Sequence, residues 1–158
     1  MDEDMNAVLP FSMATIERHL ADRELAYWRN SQTLSVMVYM GYDQPSDRST
    51  RIQHSVQGGD GSVYQLKMMG DRRVERADFG RALELCNRWN ESYRWPRAFL
   101  EIPNAEEDGP EPGSALLAMD YQLCLAKGIH QALFDDLVGC AIGASFDFFK
   151  MAKEAFQL

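Results

Sequence analysis

Groups able to do chemistry are scattered along the 158-residue chain rather than gathered into one constellation. His19, His54 and His130 fall in three different elements. None has a neighbour at the i,i+4 step that lets two imidazoles on one helix face hold zinc, so structural or surface roles are expected. Cys86, Cys124 and Cys140 are odd in number and lack a C-x-x-C step. That pattern suits a reducing compartment, with the thiols acting as small apolar groups. There is no G-x-S-x-G elbow and no recognisable cysteine nucleophile signature, so acyl transfer is unsupported. Gly58-Gly59-Asp60-Gly61 lacks the lysine and hydroxyl of a phosphate loop and reads as a turn. The acids from Glu106 to Glu111 lack the glycine-centred spacing of a calcium loop and read as a solvated stretch. The chain is therefore expected to be no enzyme, with no catalytic, metal or cofactor-binding residue and no cofactor.

Residues that could recognise a partner are better placed. Trp89 and Asn90 stand together near the end of an amphipathic stretch. They could form an aromatic platform with an amide that reads a ligand. Alternatively, Trp89 is buried and Asn90 satisfies backbone at the helix end; the apolar stripe that includes Trp89 favours this second reading. Asp120 lies among apolar neighbours, where an unpaired buried carboxylate is costly. A pair with Arg97 across adjacent strands is expected. Seven arginines from Arg72 to Arg97 interleave with five acids from Asp71 to Glu91. This is a salt-bridged, solvated face or a docking surface for an acidic segment. Gly139-x-x-x-Gly143 leaves a strip in the last helix where another backbone could approach, a reason for glycines that each cost ~1 kcal/mol against alanine there. Phe146, Phe148 and Phe149 span more than one face of that helix; either the helix packs both on its own sheet and under a terminal segment, or it contributes to a homodimer or partner surface.

The elements that must hold these residues follow from periodicity. Ser12 can cap a helix through about Leu20, with Met13, Ile16 and Leu20 on one face. Leu25 and Tyr27 lead a short extended piece. Leu34, Val36, Val38 and Met40 alternate onto one face of a strand. Ile52, His54 and Val56 alternate in the next strand, and Tyr64, Leu66 and Met68 in the return strand after Gly58–Gly61. Gly70 to Ala77 reads as a charged connection. A helix then runs from Phe79 to about Asn90, with Phe79, Ala82, Leu83, Cys86 and Trp89 as its stripe. Pro96, which lacks an amide donor, suits a strand start, followed by Ala98, Leu100 and Ile102. Pro103–Gly113 reads as an exposed acidic hairpin loop, Ala115–Leu125 as a second strand, and Ile129 to about Phe156 as the longest helix. The fold class is thus α+β, one antiparallel sheet packed against helices in the order α-β-β-β-α-β-β-α. Residues 1–10 are expected to be a flexible lead-in and 11–158 a single domain.

Length and composition bound the function. One domain of this size buries roughly two thirds of its unfolded surface. A hydrophobic share of 46% is globular, and a net charge of −8 argues against binding nucleic acid, whose phosphates must be neutralised. The acidic N-terminus lacks the basic-then-apolar order of a signal peptide, and no run approaches the ~20 apolar residues of a membrane span. A cytoplasmic location and no membrane partner are expected.

The element order, with Asn87-x-Trp89-Asn90 before Arg97-Ala98-Phe99-Leu100, and with Asp120 and Gly128 at matching spacing, resembles the YbjN-type domain family. That family is described as bacterial sensory-transduction regulators and resembles the chaperones of type III secretion in fold. The resemblance implies a dimer-forming, non-catalytic module. It suggests a regulatory or chaperone-like protein-binding role, working through apolar grooves and a sheet edge. The candidate contact residues are Trp89, Asn90, Arg97, Asp120, Gly139, Gly143, Phe146 and Phe149. The alternative is a small-molecule sensor with its pocket between the sheet and the C-terminal helix.

Overall fold

Alternating apolar side chains build one antiparallel sheet, and three helices close over a single face of it. The computed structural model describes residues 7–102 and 113–158. Helix α1 is Met13–Ala21. Strands β1 (Trp28–Asn30), β2 (Ser35–Asp43), β3 (Arg48–Gln57) and β4 (Val63–Glu75) follow. A 3-10 turn at Arg76–Asp78 leads into α2 (Phe79–Ser92), then come β5 (Arg97–Glu101), β6 (Ser114–Cys124) and α3 (Gln131–Phe156). The strand order across the sheet is β1-β2-β3-β4-β6-β5, and every pairing is antiparallel. The α+β class and the element order are as expected, with β1 added as a three-residue edge strand.

Side chains of one parity face the helices. Val36 and Val38, Ile52, Leu66 and Met68, Leu117 and Met119 meet Ile16 and Leu20 of α1, Leu85 and Trp89 of α2, and Phe134, Phe148 and Phe149 of α3. Each such Leu, Ile or Phe contributes ~1.5–3 kcal/mol through the surface it removes from water. The opposite parity, including Tyr39, Gln53 and Lys67, joins no part of this cluster.

Several local details differ from the sequence reading, among them Ile102, which falls after β5 and is exposed. Leu34 precedes β2 with φ +47 and is exposed, so it is a turn residue and not part of the core face. The buried stripe of α2 is Ala82, Leu85, Cys86 and Trp89, and Leu83 points to water. Both stripes obey a helical period; the helix is turned to bring the Trp89 indole against β5. The charged stretch after Gly70 is strand, because β4 shifts register between Met69 and Arg73 and then pairs again, with Val74 opposite Ala115. The helix α2 also continues to Ser92.

At the N-terminal end, Leu9 and Ile129 exchange two backbone bonds of 3.1 and 3.0 Å, which docks this end of the expected lead-in. The bridge explains Gly128: its φ is +81, and a Cβ there would lie 2.4 Å from the Leu9 oxygen. Residues 1–6 of the lead-in and 103–112 of the acidic loop lie outside the described residues.

Candidate functional site

The end of α2 is fastened to β5 by two adjacent side chains. Trp89 is buried, its Nε1 donates to the Pro96 oxygen at 2.9 Å, and its ring lies between Tyr93, stacked at 4.2 Å, and the edge of Phe148 at 5.4 Å. Asn90 Nδ2 donates to the Ala98 oxygen at 3.0 Å, and Asn90 Oδ1 accepts from the Ala98 N–H at 2.9 Å. The strand β5 is an edge of the sheet, with β6 on its other side. The Asn90 amide therefore gives Ala98 the donor and acceptor that a neighbouring strand would give. Inserting a peptide strand at this edge would require breaking both bonds.

The helix-free face is the larger exposed feature. Registers align Trp28, Met37, Gln53, Lys67, Asp120 and Arg97 in one row across all six strands. At the β5 end the expected pair forms. Arg97 donates from Nε to Asp120 Oδ1 at 3.0 Å and from Nη2 to Oδ2 at 2.9 Å. The Arg97 side chain is 67% exposed and that of Asp120 only 12%. Beside them Lys67 pairs with Glu101, and the Phe99 ring carries the Lys67 and Arg97 cations at 5.8 and 5.4 Å. At the other end stand Trp28, 62% exposed, and Tyr39, 69% exposed. Such aromatic side chains on a polar platform are suited to contact with a macromolecule.

Three open clefts border this framework. One of about 480 Å³ sits at the start of β5 and is lined by Arg94, Trp95, Arg97, Asp120, Tyr121 and Gln122. One of about 500 Å³ lies between Val8–Phe11, the turn at Asp60–Ser62 and the loop at Leu125–Gly128. The third, about 450 Å³, runs along the start of α1 and reaches Arg18 and Gln131.

The candidate residues do not converge on one place. Arg97 and Asp120 share the helix-free face, and Trp89 and Asn90 lie beneath its edge. Gly139 and Gly143 are exposed on the outer side of α3, where an added Cβ would meet nothing within 4 Å. Phe146 is half-buried. Phe149 is fully buried, with the Arg48 guanidinium 5.1 Å from its ring centre, so its surface is spent on the core.

A buried polar set escaped the sequence reading. His19 Nδ1 lies 2.8 Å from Asp135 Oδ1, which also accepts from Gln131 Nε2 at 2.9 Å. His54 Nδ1 lies 2.8 Å from the Tyr64 hydroxyl, and the two imidazole centres are 6.1 Å apart. Burial drives the His54 pKa down to about 3. Burial also lowers that of His19, against the opposing hydrogen bond to the Asp135 carboxylate. The available signal was parity: His54 alternates with Ile52, and His19 falls three residues after Ile16. Their meeting depends on tertiary packing and leaves no spacing to read. Among the described residues no three His, Cys, Asp or Glu side chains are grouped to hold a metal ion, and no helix is long and apolar enough to cross a membrane.

Comparison with known proteins places this geometry. The family model named YbjN, described as "Putative bacterial sensory transduction regulator", matches residues 12–154. Among solved structures, the crystal structure of YbjN from E. coli, described as a putative transcription regulator, is similar with a TM-score of 0.67 and 12% identity. The alignment covers 93% of this chain and 94% of that one, and at such identity it speaks to fold alone. No curated protein matches the chain.

Proposed function

Because the chain belongs to the YbjN family, we propose that it is a regulatory module that acts by binding another protein and not by catalysis. The observation that carries this reading is the helix-free sheet face. A single row of side chains crosses all six strands there, with Trp28 and Tyr39 exposed at one end. A face so wide, polar and aromatic suits a protein surface better than a small ligand. The family description, a sensory transduction regulator, supports the same class of role. A chaperone-like manner of binding is one form it could take. The sensor alternative has less support, since Phe134, Phe148 and Phe149 fill the space between the sheet and α3 and the three clefts lie elsewhere.

The test is quantitative capture of partners with the wild type and with Trp28→Glu/Tyr39→Glu. Both side chains stand outside the core, so the melting temperature should hold while the captured partner is lost. A double variant that retains the partner moves the contact off this face. Pairing of two copies along the Gly139–Gly143 side of α3 is a second arrangement, supported by the open space above both glycines. A single monomeric mass by light scattering at micromolar concentration would remove it.

A further inference from the structure

The cleft at the start of β5 differs from the other two in its chemistry. Trp95 is 43% exposed, yet its ring is held against Tyr121 at 5.2 Å and 32°. The turn that carries it is fastened on both sides: Tyr93 stacks on Trp89, and the Pro96 oxygen accepts from the Trp89 indole. Such a wall needs little ordering when something binds to it. The cleft is also cationic. Asp120 is neutralised by its two bonds to Arg97, whose side chain is itself mostly exposed. Arg94 is exposed and has no ion-pair partner among the described residues. Trp, Tyr and Arg are the residue types that dominate binding energy at protein interfaces, and they make up four of the six lining residues here.

We propose that this cleft takes an acidic segment of a partner protein, one carboxylate meeting Arg94 and an apolar side chain lying on Trp95. The proposal rests on the protein-contact reading and names the chemistry of what is contacted. Charge complementarity selects the occupant: a cation with no ion-pair partner among the described residues stands beside an aromatic wall. A small free anion would use the cation and leave the aromatic wall idle.

The experiment is fluorescence polarisation of a labelled peptide of alternating glutamate and leucine, titrated with the full chain. Saturable binding is expected. It should weaken at least tenfold in Arg94→Glu and in Trp95→Ala, with Arg94→Glu melting at the wild-type temperature. The same peptide with glutamine for glutamate should not bind, and millimolar inorganic phosphate should not displace the glutamate peptide. Equal binding of the two peptides, unchanged binding by Arg94→Glu, displacement by phosphate, or no saturable binding would each overturn the proposal. So would a dimer of the wild type that Arg94→Glu dissociates, because the occupant would then be a second copy. A partner still captured by Arg94→Glu but lost by Trp28→Glu/Tyr39→Glu would sink the cleft and leave the protein-contact reading standing.

Discussion

Asn90 holds the N–H and the oxygen of Ala98 with one planar amide. Replacing it by leucine keeps the volume and strands both backbone groups. Asn90→Leu is expected to lose about 1–3 kcal/mol in urea denaturation, the cost of unmet buried partners. His54 gives a second expectation. Its pKa in the folded chain is about 3, against 6.5 for an exposed imidazole. Between those values the unfolded chain binds the proton and the folded chain does not, so His54 favours folding fully above pH 6.5 and progressively less as pH falls towards 3. His19, lowered in the same direction, adds to the loss. The difference in unfolding free energy between wild type and His54→Gln should shrink on acidification from pH 7 to pH 4.5, by up to ~1.4 kcal/mol per pH unit. A difference independent of pH would mean the imidazole is protonated within the fold. At this scale the Arg97–Asp120 pair was legible because alternation put both on one face. The His19–His54 meeting was not, because α1 and β3 come together only in the packed molecule.

Elements were legible where one period dominated. The alternation in Val36–Met40 and Tyr64–Met68 and the long apolar pattern of α3 identify their elements directly. The continuation of β4 past Gly70 was hidden, since Asp71, Arg72, Arg73 and Glu75 read as a loop until β6 supplies partners for Arg73, Val74 and Glu75. The rotation of α2 was likewise undetermined between Leu83 and Leu85, and the seat of Trp89 against Pro96 decides it. Amide hydrogen exchange tests how the two edges differ. The bond from Val56 N–H to the Leu34 oxygen sets the even residues of β2 to face β3, so the Tyr39 amide points outward, past the end of β1. The Ala98 amide, also at an edge, is held by Asn90. Ala98 should therefore exchange at the slow rate of interior strands and Tyr39 rapidly. Equal rates would mean that the Asn90 bond opens freely.

The whole molecule pairs a sheet face packed under helices with a helix-free one and carries a net charge of −8. Its surface pairs, such as Arg88–Glu84 and Arg72–Asp47, are exposed, where an ion pair contributes well under ~1 kcal/mol. Repulsion within the acidic whole should outweigh them, so raising salt is expected to raise the melting temperature by screening. A drop of several degrees in scanning calorimetry would mean that the pairs dominate. Sheet class and one-sided packing were legible from alternation alone, whereas the open face acquires its functional meaning only once registers align six strands into one row. The asparagine seal has a consequence for self-assembly. A filament grows by strand addition only if each molecule offers two sticky margins, a head and a tail. Here one margin is stoppered by a side chain, so strand exchange between molecules through the other would end at a pair. Removing the stopper, as in Asn90→Ala, is the change that would let fibres form.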